Sequence, residues 1–264
     1  MSVRGATGDL SLTVVIPVKD DARHLERCLE ALAQQVRLPD EVVVVDNAST
    51  DDSAAVARRA GAQVLHEPAP GIPAAASTGY DAVREGVIVR CDADTVPPPD
   101  WLRRVHAAFE RDPELVALTG PGAFYDLPAA RACLARTFYM GGYFWGMRAA
   151  IANVPLWGSN MALRVSAWEG VRDRVHRDDP LVHDDADLSF ALGSTARVRF
   201  DRRLVVGVSG RTFESRASLR RRFRWAWRTL AVNWSVSPPW DRWAARLASG
   251  RRPRAARPTA RRES

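Results

Sequence analysis

The chain has 264 residues, 46% of them hydrophobic and 26% charged, which is the composition of one globular unit with a full core. This excludes a wholly disordered, collagen-like or multi-span membrane chain, and no apolar run approaches the length of about 20 residues that a membrane span needs. The net charge of +7 hides a division: residues 202–264 hold 17 arginines against three carboxylates (+14), and residues 1–201 hold 21 basic against 28 acidic side chains (−7).

The first segment, MSVRGATGDL, lacks an apolar signal core, so export is not expected. Residues 12–18 (LTVVIPV) read as a buried strand. Leu25, Leu29, Leu32 and Val36 then recur at helical spacing over 21–36, with Asp20 or Asp21 as the cap. A second strand is EVVVVD at 41–46, followed by a short helix capped by Ser49 or Thr50 and ending at Gly61. A strand at 64–66, a helix over 73–85 closed by Gly86, a strand at 87–92 and a helix at 101–110 complete the first half. Strands alternating with helices predict an α/β fold with a mostly parallel central sheet flanked by helices. Ligands of such sheets bind beyond the carboxyl ends of the strands, where Asp20, Asp46 and Asp92 all fall.

The second half is less regular. Residues 124–157 are aromatic and glycine-rich and suggest no regular element. A strand and turn at 160–170, a helix at 184–192, strands at 196–200 and 204–208, and a basic tryptophan-bearing helix at 218–234 follow. A short helix at 240–248 and a disordered basic tail at 249–264 end the chain. The domain reading is a tail at 1–10, one domain at 11–235 divided near 122 into a nucleotide-binding and an acceptor half, and a basic helical extension at 236–264. Cys28, Cys91 and Cys133 are odd in number and widely spaced, which points to a reducing compartment.

Two carboxylates one residue apart after a buried strand, Asp92 and Asp94, suit a hard divalent cation such as Mn2+ or Mg2+ and the ribose and phosphates of a nucleotide. Taken alone, such a pair is more often solvated. Asp46 at the end of its strand can accept from a nucleobase N–H, or cap the next helix. Asp184 and Asp185 are adjacent, so one of them is expected to hold its proton to higher pH, as suits a general base. Their alternative role is again a helix cap.

The stretches VVIPVKD, EVVVVDNASTDDS, VIVRCDADTVPPPDWL, GSNMALR and HDDADLSFAL together resemble the family 2 glycosyltransferases over roughly residues 12–228. The resemblance implies the GT-A nucleotide-diphospho-sugar transferase fold and an inverting transfer to a hydroxyl, with UDP as the most frequent nucleotide. It places Pro17, Val18, Asp20, Asp46 and Asp92 at the nucleotide and Asp94 at the metal, with Asp185 as the catalytic base. Arg221, Arg224 and Trp225 are similar to a Q-x-x-R-W motif of processive members, whose arginine could hold the diphosphate. Their alternative is a basic amphipathic helix. Ala75, Ala76 and Ser77 stand where many members carry an Ala-Arg-Asn triplet, and Ser209 stands where many carry a metal-binding histidine.

Trp157 and Asp184 are candidates for acceptor contacts, because an aromatic ring packs on the apolar face of a sugar. Trp225, Trp227 and Trp234 among arginines fit an anionic membrane surface. The expected protein is cytoplasmic, peripheral on the inner face of the cell membrane. It would take a nucleoside-diphosphate sugar and a glycan or lipid-linked acceptor, and no specific nucleic acid. The alternative is a GT-A-fold binding protein without turnover, recruited to the same surface.

Overall fold

The computed structural model of the chain describes residues 10–213 and 216–250. Strands and helices alternate through the first half: β1 (Leu12–Val18), α1 (Ala22–Ala33), β2 (Glu41–Asp46), α2 (Ser53–Arg59), β3 (Gln63–His66), α3 (Ile72–Ala82), β4 (Val87–Arg90) and α4 (Trp101–Arg111). β1 and β4 are buried at every position, as continuous apolar runs in a sheet covered on both faces must be. α1 buries Leu25, Cys28, Leu29 and Leu32, but it ends before Val36, whose side chain is exposed. α2 starts at Ser53 rather than at Ser49 or Thr50, because the Asp51 carboxylate accepts from both the backbone N–H and the hydroxyl of Ser53. α3 stops at Ala82, since Val83 is already extended.

The second half holds more structure than its sequence suggests. Two three-residue strands, β5 (Ala117–Thr119) and β6 (Gly122–Phe124), lead into a helical run of α5 (Ala129–Leu134), a π-helical stretch (Ala135–Met140) and α6 (Gly141–Ile151). This run replaces the irregular region expected at 124–157. Only Met140, Ala150 and Ile151 in it are fully buried, so no apolar stripe marks it in the sequence. The chain continues through β7 (Met161–Arg164), α7 (Val165–Glu169), α8 (Asp184–Leu192), β8 (Val198–Phe200) and β9 (Val206–Val208). A 3-10 turn (Gly210–Phe213), α9 (Arg216–Trp234) and α10 (Pro239–Gly250) follow. Residues 1–9 and most of the tail expected to be disordered, 251–264, lie outside the described residues.

The main sheet has seven strands in the order β3-β2-β1-β4-β7-β5-β8. All neighbours are parallel except β7, which runs antiparallel to both β4 and β5. The reversal has a functional consequence. The amino end of β7 falls at the same sheet edge as the carboxyl ends of β1, β2 and β4, so Trp157–Asn160 join the ligand-binding edge. Asn160 locks this corner: its Oδ1 accepts from the Trp101 indole at 2.9 Å and its Nδ2 donates to the Leu204 carbonyl at 2.6 Å. A small parallel sheet of β6 and β9 stands beside the edge and carries Phe124 and Val208 to it.

α3 lies against β1 and β2 at Gly79, where a Cβ would overlap the Val15 and Val45 side chains. Gly79→Ala is therefore expected to lower stability by about 1–3 kcal/mol, the usual cost of overpacking a filled core, read as a fall in the urea midpoint.

Candidate active site

A cleft of about 270 Å³ opens at this edge. Pro17, Val18, Lys19 and Asp21 line it after β1, Asn47 after β2, and Arg90, Asp92, Ala93 and Asp94 at the end of β4. Trp157 and Ser159 enter ahead of β7, Asp184 and Asp185 at the start of α8, and Arg211 after β9. The π-helical stretch contributes Tyr139, and α9 contributes Arg222.

The floor is built around Arg90, whose side chain is 2% exposed. Its Nη2 lies 2.9 Å from Asp92 Oδ1 and 3.4 Å from Asp184 Oδ2, so one guanidinium ties the β4 carboxylate to the α8 carboxylate. The second Asp92 oxygen accepts from the Ser159 hydroxyl. Gly158 has to be glycine, because a Cβ there would overlap the Arg90 guanidinium. Its own N–H donates to Asp185 Oδ2 at 2.8 Å, and Asp185 Oδ1 accepts from the Ala186 N–H. Three segments distant in sequence are thus fixed to one another by a single buried cation and one glycine.

One member of the adjacent pair is raised, as expected, but it is Asp184 and not Asp185, the residue expected as the base. Burial lifts its pKa to about 7; Arg90 opposes this, and Asp185 and Asp92 add to it. One arginine between several carboxylates leaves negative charge uncompensated, and a proton on Asp184 relieves it. Asp94 is likewise pushed up to about 6 by burial and by Asp92, against the pull of Arg211. The third acid of the run, Asp187, is structural: it accepts from the His176 backbone and the Asn233 amide, which clamps α8 to α9.

Some predicted site residues stand elsewhere. Asp20 does not line the cleft. It sits at φ 49°, and its carboxylate turns to accept from the Thr50 N–H and hydroxyl, which hold its pKa below the usual range. Asp21 takes the cleft position instead. Asp46 is buried behind the cleft wall, accepting from the Ser49 N–H at 3.1 Å with His66 Nδ1 at 3.5 Å from its other oxygen. Arg221 and Arg224 also miss the cleft: Arg221 lies over the Trp225 ring at 5.6 Å, and Trp225 packs edge-on against His183. The α9 residue that reaches the cleft is Arg222.

Sequence reasoning missed Arg90 and Arg211. The signal for Arg90 was present, since a charge inside a buried strand must have a partner. Arg211 Nη2 lies 3.0 Å from Asp94 Oδ2 and its Nη1 lies 2.7 Å from Asp21 Oδ2. A guanidinium therefore stands where carboxylate oxygens converge. Such an all-oxygen set suits Mn2+ or Mg2+, so the residues fit a divalent cation. Among the described residues, no three His, Cys, Asp or Glu side chains form a closed metal site, so ligand oxygens would have to complete the coordination.

A carboxyl whose folded pKa is about 7 binds more protons folded than unfolded between about pH 4 and 7, so stability should fall as pH rises through that window. Asp184→Asn removes this titration and is expected to flatten the decline, measured as urea midpoints across the window.

Residues 13–170 match the family description "Glycosyl transferase family 2". An uncharacterised glycosyltransferase of Mycobacterium tuberculosis is 36% identical over 106 residues, 40% of this chain and 47% of the relative. An undecaprenyl-phosphate 4-deoxy-4-formamido-L-arabinose transferase of Pseudomonas fluorescens is 31% identical over 116 residues, 40% of this chain and 34% of that protein. The matched stretch thus spans about half or less of these curated relatives. Among solved structures, a mannosyltransferase from Pyrobaculum calidifontis in complex with GDP-Man and Mn2+ superposes with a TM-score of 0.59 at 20% identity, covering 92% of this chain and 80% of that one. Glucosyl-3-phosphoglycerate synthase from Mycobacterium tuberculosis in complex with UDP gives 0.61 at 19% identity, covering 85% and 80%. The family match takes in more than half of the chain, and the fold is the same GT-A arrangement: the chain belongs to glycosyl transferase family 2.

Proposed function

We propose that the chain is an inverting glycosyltransferase that moves a sugar from a nucleoside-diphosphate donor, UDP-linked in the first instance, to a hydroxyl acceptor. The observation that carries this reading is the convergence of Asp92, Asp94, Asp184 and Asp185 on one cleft, with Asp92 and Asp184 tied through Arg90. The neighbour structures bound to nucleotides lend support by fold. In this reading Pro17, Val18 and Asn47 flank the base and Asp92 meets the ribose. Asp94 would hold Mn2+ or Mg2+ together with diphosphate oxygens. The cation supplies positive charge against the developing charge of the leaving diphosphate. Trp157 and Tyr139 offer flat apolar surfaces to a sugar.

The chemistry asked of the chain is one displacement. Asp185 takes the acceptor hydroxyl proton, the oxygen forms its bond to the anomeric carbon from the face opposite the diphosphate, and the bond to the diphosphate oxygen breaks. The Gly158 and Ala186 N–H groups fix the orientation of the Asp185 carboxylate. Asp184, held by Arg90, stays out of proton transfer and keeps the α8 amino end in place.

We place the acceptor at an anionic membrane surface and read it as a lipid-linked or cell-envelope glycan. α9 turns Phe223 and Trp227 outward, 76% and 68% exposed, beside exposed Arg220, Arg224 and Arg228, while Trp234 packs inward on Ala150. α10 adds exposed Trp240 and Leu247. Aromatic rings set among arginines have the chemistry of a headgroup-level anchor. The undecaprenyl-phosphate transferase relative is in keeping with this. No helix of the described residues is long and apolar enough to cross a membrane.

Asp185→Asn is expected to lower transfer by about 10²–10⁴-fold, the usual contribution of a general base, while sparing UDP affinity by calorimetry. Full turnover in that variant would refute the assignment. The double variant Phe223→Ser, Trp227→Ser should lose co-sedimentation with vesicles containing phosphatidylglycerol and keep donor hydrolysis. Unchanged sedimentation would remove the membrane from the reading.

A further inference from the structure

The cleft is lined by one lysine and three arginines. Lys19 Nζ donates to the Asn47 and Ala48 carbonyls, Arg90 is sealed between Asp92 and Asp184, and Arg222 enters from α9. The fourth, Arg211, has a different character. Its side chain is 43% exposed, and its two Nη atoms reach two different carboxylates, Asp21 and Asp94, one contact each. Neither contact uses the paired fork that makes arginine a strong ligand for planar or phosphate oxygens.

The base of Arg211 is anchored through backbone and turn contacts, while its tip is held, among the described residues, only by these two carboxylates. Asp126 accepts from the Ser209 hydroxyl and from the Gly210 N–H, both at 2.6 Å, and so pins the turn after β9 to the turn after β6. A Cβ on Gly210 would overlap Leu127, so this turn is close-packed. The guanidinium therefore stands at the end of a flexible stem on a fixed post, at the mouth of the cleft. Ala75 presents only a methyl group to the same cleft, so α3 brings no basic side chain to a bound diphosphate.

We propose that Arg211 is an exchangeable latch on the cation site. Without nucleotide it occupies Asp94 and Asp21 and keeps divalent metal off Asp94. When a nucleoside diphosphate enters, the guanidinium moves to the phosphate oxygens and uncovers Asp94. The exchange rests on the nucleotide-sugar reading above and goes beyond it, because it makes cation binding depend on nucleotide. The energetics permit it. The arginine is partly exposed and makes one contact to each of two largely buried carboxylates, and a diphosphate offers the same group a bidentate, doubly charged partner.

The test is a pair of titrations on the full chain and on Arg211→Gln. Mn2+ is titrated without nucleotide, with free ion followed by electron paramagnetic resonance. UDP, GDP and TDP are titrated calorimetrically in EDTA. The variant is expected to bind Mn2+ about two- to fivefold more tightly, the scale of an exposed ion pair removed. Its affinity for the preferred diphosphate should fall about tenfold or more, the scale of a lost charge-assisted contact. Adding Asp94→Asn to Arg211→Gln should abolish the gain in Mn2+, placing the ion at Asp94. Circular dichroism melts confirm that the variants are folded. Mn2+ affinity that stays level or falls in Arg211→Gln overturns the latch. If no nucleoside diphosphate binds the wild-type chain either in EDTA or with Mn2+ present, the transferase reading fails, and the nucleotide-free Mn2+ titration still decides whether Arg211 closes Asp94.

Discussion

The buried guanidinium of Arg90 is the constraint around which the site is organised. A charge with 2% exposure is tolerable only with partners, and an unpaired one would cost several kcal/mol. Its partners come from the loop just after β4 and from the start of α8, nearly a hundred residues later. Once Asp92 and Asp184 are both drawn to it, Gly158 must lose its side chain to make room, and the chain before β7 must follow a path that brings Ser159 onto Asp92. Burial lifts Asp184, and the negative charge of Asp185 and Asp92 left over after this pairing adds to it. The electrostatics of the cleft and its backbone path are therefore one problem with one solution.

Much of this was legible in the sequence, and the limits have physical causes. β1, β2 and β4 are long apolar runs that only a two-sided sheet can bury, and α8 begins with acids as a helix amino end should. β5 and β6 are three residues each and are defined by pairing, β5 with β7 and β6 with β9, which no local pattern encodes. The 129–151 helical run hides because most of its face is open and its π-helical stretch breaks the 3.6-residue period. Which of two adjacent residues faces the cleft was also out of reach: Asp20 against Asp21 turns on one positive φ, and Arg222 against Arg221 and Arg224 turns on the rotation of one helix. Arg90 could have been found by asking what a charge does in a buried strand.

The charge division of the chain acquires a spatial meaning. The acidic part builds the cleft, and the basic part folds back across it through α9, where His183 donates its backbone N–H to Thr229 and Arg228 lies 2.9 Å from Asp179. The same helix presents one face to the cleft and another to the exterior. Whatever meets Phe223 and Trp227 outside is only a helix diameter from the acids inside.

The reversed strand β7 has a consequence for how such a protein can diversify. Phe124 and Trp157, the two ends of the segment between the small sheet and β7, both stand at the cleft, and the 32 residues between them close back on the same edge. That segment is clipped into the frame at both ends. Gly158 and Ser159 hold its far end in register with Asp185 and Asp92, and Asp126 near its start pins the turn after β9. A change confined to this insert would remodel one wall of the cleft while the strands that lead into the carboxylates keep their order.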